Sequence, residues 1–139
     1  MKVYGKTLDV ATRGFSDIVD ISDEVRSAVS DSGVGNGMVS VTVTGSTASI
    51  STIEYEPALV EDMKELLEKL VPSDGMSRHS RTWGDDNGFS HMRATLMGCS
   101  IVLPVVNGMI MTGTWQQVVL IDHDNRKRNR KIRIQVLGE

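Results

Sequence analysis

The sequence predicts an α+β fold: one compact domain with mainly antiparallel sheets and two or three helices. Three observations predict it. Segments of alternating apolar and polar residues outnumber helical ones. Asn107-Gly108, a strong hairpin signal, stands between two apolar runs. The 139 residues, 40% of them hydrophobic, suffice for one core and not for two, so residues 1–139 are expected to form a single unit.

The elements follow in order. The first ten residues read as a strand. Ser22 is placed to cap a short helix with an acidic first turn (Asp23, Glu24); Val25, Ala28 and Val29 recur at helical spacing and Gly33 is placed to stop it. Val39, Val41 and Val43 alternate with Ser40, Thr42 and Thr44 as a half-buried strand, and after a break at Gly45-Ser46 a second strand alternates through Ala48, Ile50 and Thr52. Pro57 suits the first position of the clearest helix, and Pro72 ends it. The stripe of Leu59, Met63, Leu66, Leu67 and Leu70 predicts that this helix turns those five residues to the core. Residues 73–89 are polar and without periodicity, which in a compact domain marks a functional or disordered loop. A short helix is expected from Ser90 to near Gly98, then a β meander. Its first strand runs from Ile101 to Val106, with Pro104 requiring an edge or a bulge. The chain returns from Met109 to Ile121, turns over Asp124 to Arg130, and closes with Ile132, Ile134 and Val136 in alternation.

Composition excludes several classes. A single cysteine, Cys99, rules out an internal disulfide framework and a zinc site of several cysteines; with no basic neighbour in sequence it reads as packing. No apolar run approaches the roughly 18 residues of a membrane span, and the start lacks a secretory apolar region, so a cytoplasmic protein with no membrane contact is expected. The net charge of −3 hides an asymmetry: Asp122 to Glu139 carry six basic and three acidic residues, leaving −6 on the rest. Such a cluster suggests an anion site, a subunit contact or simply a solvated turn. Nucleic-acid binding through Arg126 to Arg133 is disfavoured by the negative balance and by an aromatic content of 4%.

Three segments point to chemistry. Gly45-Ser46-Thr47-Ala48-Ser49 is a glycine-led, hydroxyl-rich bend whose successive N–H groups can cradle a phosphate or carboxylate, though such bends are usually only turns. Glu54 and Glu56 straddle Tyr55, so both carboxylates can point one way, suiting a metal or a general base; for Glu56 the charge of a helix N-terminus offers an alternative. The polar loop holds His79, Asp85, Asp86 and Asn87, with His91 twelve residues after His79. Imidazoles are common metal ligands, but ordinary loop histidines bonding carbonyls have the same appearance. Gly113-Thr114-Trp115-Gln116-Gln117 interrupts a strand with glycine and offers a ring face and an amide to a ligand, or to the core.

Taken together, these stretches resemble the YjbQ family, also called the secondary thiamine-phosphate synthase enzyme family. The resemblance rests on Gly45 to Ser49, Glu54, Glu56-Pro57, His79, Asn87 with His91, and Ser100 to Val105. It continues through Gly108, Gly113 to Gln116 and the closing Gln135 to Glu139, and so covers nearly the whole chain. It implies a β-sandwich-like body, a homotrimer and, in some members, a weak transferase activity joining a pyrimidine diphosphate to a thiazole phosphate. It also implies that histidines matching His79 and His91 gather around a metal or anion. Many relatives begin the first motif with His-Thr-Thr-Ala-Ser, where this chain has Gly45-Ser46.

On that reading the chain is expected to be a phosphate-ester enzyme of thiamine-phosphate synthesis. Ser46, Thr47 and nearby amides hold phosphate; His79, His91 and Glu54 act as acid/base groups, the histidines also holding a divalent ion, zinc or magnesium. Asn87, Thr114 and Gln116 contact the substrate. The alternative is a non-enzymatic trimeric module binding a metal or a small anion.

Overall fold

A computed structural model describes residues Met1 to Glu139. The chain forms, in order, β1 (Lys2–Thr12), β2 (Asp17–Asp20), α1 (Ser22–Ser32), β3 (Gly37–Val43), β4 (Ala48–Glu54) and α2 (Pro57–Leu70). There follow α3 (Arg78–Trp83), α4 (Gly88–Met97), β5 (Ser100–Val106), β6 (Met109–Ile110), β7 (Gln116–Asp122) and β8 (Arg128–Gly138). The α+β class and the antiparallel pairing hold throughout, with four helices where two or three were expected.

Two sheets stack. The larger has the order β1-β8-β3-β5-β6 and the smaller β2-β7-β4. Alternation decides which side chains meet between them. Val39, Val41 and Val43 of β3 and Ile132, Ile134 and Val136 of β8 face Ile50 of β4 and Val118 and Leu120 of β7; Val25, Ala28 and Val29 of α1 close one side. The intervening residues of β7, Val119 and Ile121, point the other way and pack with Ile18, Val60, Met63 and Met97. β7 is therefore covered on both faces, which is why Val118 to Ile121 reads as a continuous apolar run.

Several local expectations are met. Gly33 ends α1 with φ +62, and Asn107 and Gly108 both have positive φ, as a type I′ turn requires. Others are corrected. Ser22 does not cap α1: its hydroxyl donates to Asp20 and accepts the N–H of Val118, tying the helix start to β7. The expected meander breaks after Ile110, because only Met109 and Ile110 return along β5 before the chain crosses to the smaller sheet as β7. The stripe on α2 is mostly not core. Leu67 is buried, while Leu66 and Leu70 are 46% and 65% exposed, because α2 meets the small sheet through Val60 and Met63, leaving the side that carries Leu66 and Leu70 open. Cys99 is exposed rather than packed.

Candidate functional site

The polar loop is more ordered than its composition suggests, because serines and glycines bring two short helices together. Ser77 caps α3, its hydroxyl accepting the N–H of Ser80 at 3.0 Å and donating to the Ser80 hydroxyl at 2.8 Å. The Ser80 hydroxyl accepts the N–H of Gly88, the first residue of α4. A side chain at Gly88 would place its Cβ 1.9 Å from the Ser77 hydroxyl, so only glycine lets α3 and α4 approach this closely.

That approach sets His79 of α3 against His91 of α4. Their ring centroids lie 4.7 Å apart at an interplanar angle of 61°. Behind the pair, His79 Nε2 lies 3.6 Å from a carboxylate oxygen of Asp85. The amide nitrogen of Asn87, in the orientation its surroundings require, donates to both oxygens of Asp85 at 3.1 Å. Asn125 donates to the Asp85 carbonyl at 2.8 Å, fastening this loop to the turn after β7. No third His, Cys, Asp or Glu joins the two imidazoles in a metal-holding group.

The other expected site residues lie apart from this pair. Glu54 ends β4, and Gln116 opposite it begins β7. Ser46 and Thr47 lie just before the start of β4, so the length of that strand, roughly 20 Å, separates the two groups. Gln116 is committed locally: its amide donates to Thr52 and accepts the N–H of Gly113, shaping the turn that leaves Thr114 and Trp115 exposed. Glu54 instead borders a hollow with Asp20, Asp23, Arg26, Tyr55 and Trp115. Glu56 takes its helix-capping alternative, accepting the N–H groups of Ala58 and Leu59. A single cavity holding all eight expected residues therefore does not form.

Thr47 is corrected as a phosphate ligand. Its buried hydroxyl donates to Asp124 at 3.1 Å and accepts from Arg130 at 2.6 Å. It belongs to a buried ionic cluster in which Arg130 grips Asp122 through two bonds of 2.7 Å. Arg128 pairs with Asp124, and Thr12 donates to Asp122. Burial opposes the charge of Asp122, but the bonds from Arg130 and Thr12 outweigh it and hold the carboxyl below its usual range. Burial likewise opposes the charge of Asp124, and Arg128, the Asn125 N–H and Thr47 bring it down. The basic turn is thus not simply solvated, since two of its arginines neutralise acids from β7 and the residues after it.

Sequence reasoning passed over the third histidine. His123 is fully buried, with Ser16 Oγ 2.8 Å from its Nδ1 and Ser49 Oγ 3.0 Å from its Nε2. Burial, reinforced by the charge of Arg93, lowers its pKa to about 4, so the ring is neutral. Arg93 is buried too; it donates to Ser16, to the Val71 carbonyl and to Glu68. The one signal available was position: Asp122-His123-Asp124 follows directly on the apolar run of β7, at the point where that strand gives way to a turn.

The comparisons with known proteins agree on a family. Residues 6–139 match the family described as UPF0047 protein YjbQ-like. A UPF0047 protein of Methanothermobacter thermautotrophicus is 37% identical, the match covering 100% of this chain and 95% of that protein. UPF0047 protein YjbQ of Escherichia coli O157:H7 is 32% identical, with 98% and 99% covered. Among solved structures, a YbjQ-like protein of unknown function from Sulfolobus solfataricus P2 superposes with TM-score 0.91 at 34% identity, covering 99% of each chain. A YjbQ/UPF0047 protein from Clostridium acetobutylicum gives 0.86 at 30% identity, with 95% and 99% covered. These descriptions name no thiamine-phosphate synthesis, and the Sulfolobus protein is described as of unknown function. That corrects the expected activity: likeness to these proteins assigns a fold and no coupling of a pyrimidine diphosphate to a thiazole phosphate. No helix is long and apolar enough to cross a membrane.

Proposed function

Because the chain belongs to the YjbQ-like UPF0047 family, which brings no reaction with it, we propose from its site that it binds a divalent transition-metal ion through His79 and His91. The observation that carries this reading is the approach of the two rings to 4.7 Å on separate helices. The donor set fits such an ion. Imidazole nitrogens suit zinc, copper or nickel, whereas magnesium demands oxygen ligands, so zinc fits and magnesium does not. The line of Asn87, Asp85 and His79 matches the second shell of metal-bound histidines, in which a carboxylate fixes ring orientation and raises ligand basicity. Two protein ligands leave positions open for a small ligand or for groups of another copy of the chain.

Self-association, expected to give three copies, belongs to the same reading. Its support is the solvent face of the large sheet, where Val3, Leu137, Met38 and Pro104 lie opposite one another on adjacent strands and stand exposed.

Calorimetric titration with zinc chloride, run on wild type and on His79→Ala/His91→Ala, tests the proposal. Wild type should take up the ion saturably and the variant should bind at least about tenfold more weakly. Equal binding by the two would refute the reading. Light scattering with and without zinc would show whether copies assemble and whether the ion is needed.

A further inference from the structure

The open side of α2 carries a pattern. Leu59, Met63, Leu66 and Leu70 recur at intervals of four, three and four residues, the spacing of a seam between two paired helices. Met63 lies at the inner margin of this seam, half-buried against the small sheet, and Leu59 is half-buried too. Leu66 and Leu70 are exposed, so the C-terminal half of the seam faces no element of the chain. The exposed side of a helix is ordinarily polar, as Glu61, Glu65 and Glu68 are here; two leucines one turn apart depart from that rule.

Two opposite charges border the ridge. Asp62 and Lys69 each directly precede a seam residue, so they share one edge of it, while Val60 and Leu67 occupy the other edge, against the body of the protein. Asp62 and Lys69 are both exposed, and neither enters any ion pair within the chain. Their neighbour Lys64, by contrast, is paired with Glu61.

This charge row selects a partner and an orientation. If two copies of α2 lay side by side in the same direction, the row would meet the apolar edge of Val60 and Leu67, and no charges would pair. In opposite directions about a two-fold axis, the row meets its own copy: Asp62 faces the partner's Lys69, and Lys69 faces the partner's Asp62. The same axis sets Leu59 beside the partner's Leu70 and Met63 beside the partner's Leu66. Self-complementarity of this kind is what a contact between identical copies requires, whereas a foreign partner would not call for it.

We propose that α2 is an interface between two copies of this chain, docked antiparallel along the leucine ridge and flanked by two Asp62–Lys69 pairs. The ridge is about 16 Å long, so the contact is small and reversible. It lies outside the small sheet, whereas the apolar solvent face described above belongs to the large one. The contact therefore needs neither the imidazole pair nor association through the large sheet, and it would join whatever assembly that sheet forms.

Sedimentation equilibrium of the intact protein at low ionic strength, at concentrations up to about 1 mM, tests the pairing. Wild type should reach at least twice the mass of Leu66→Glu, a change at an exposed position outside the core. Asp62→Lys sets lysine against lysine across the axis and Lys69→Asp sets aspartate against aspartate, so either variant alone should pair about tenfold more weakly than wild type. Mixed in equal amounts, the two variants should regain the wild-type mass, as should the exchange Asp62→Lys/Lys69→Asp within one chain. A general loss of stability would not produce that recovery. Equal masses for wild type and Leu66→Glu would overturn the inference and leave the ridge to a different protein. Single variants that gain no mass on mixing would overturn it as well.

Discussion

The ionic cluster after β7 and the imidazole pair of α3 and α4 are both built from paired polar side chains, yet they are opposite kinds of construction. Asp122, Asp124 and Arg130 are held on or beside rigid strands, almost wholly buried, and each carboxylate meets an arginine. His79 and His91 stand partly exposed on two short helices, with only Asp85 and Asn87 behind them. A closed cluster is costly to break because whatever is left behind is stranded without water. An open pair is cheap to alter in the free protein, and its ring nitrogens remain available to something outside the chain. Burial and partner count thus separate polar residues that hold a fold from those that can serve a ligand.

The largest effect is expected from breaking the closed cluster. Asp122→Ala removes the carboxylate that Arg130 grips twice and leaves the buried guanidinium only Asp124, 3.8 Å away and already paired with Arg128, a change of about 3–5 kcal/mol. Urea denaturation of the variant against wild type measures it; a loss below about 1 kcal/mol would mean that water reaches the cluster freely.

Acid attacks the same interior through His123. Its pKa of about 4 in the folded protein lies below its ordinary value of 6.5, so between these limits the unfolded chain binds the extra proton. Stability from this ring is complete above pH 6.5 and falls as pH drops towards 4, by about 3 kcal/mol in all. Asp122 and Asp124, whose pKa values lie below the ordinary 3.8, add their losses only at lower pH. His123→Gln should flatten the dependence between pH 6.5 and 4 when urea midpoints are compared, while parallel curves for variant and wild type would remove His123 as the cause.

The smallest effect on stability belongs to the open pair. Asp85→Asn should change the unfolding free energy by no more than about 0.5 kcal/mol, yet weaken zinc binding about tenfold by releasing the orientation of His79. A variant that binds zinc as wild type does would separate Asp85 from the pair.

The sequence made one half of this contrast easier to see than the other. Two-residue alternation in β3 and β8 displays the core directly, because a pleated strand shows its buried face as a pattern. The turn at Asn107-Gly108 is equally open, since few residue pairs accept two positive φ angles. The α2 stripe misled because helical spacing marks an apolar side without saying how much of it a small three-stranded sheet can cover. His79 and His91 were legible as residue types, whereas their contact depends on Ser77, Ser80 and Gly88, which in sequence are merely loop residues. The buried cluster was hidden most deeply: Arg130 pairs with Asp122 across a turn, Thr47 arrives from 83 residues away, and polarity alone places all three at the surface.

The position of β8 bears on how the protein is made. It lies between β1 and β3, each of which leaves the ribosome well before it. Neither early strand has its central neighbour until β8 emerges, so the large sheet assembles by late insertion rather than by sequential zipping. Such long-range closure slows folding, and until it occurs the bare edges of β1 and β3 are open to pairing with other nascent chains.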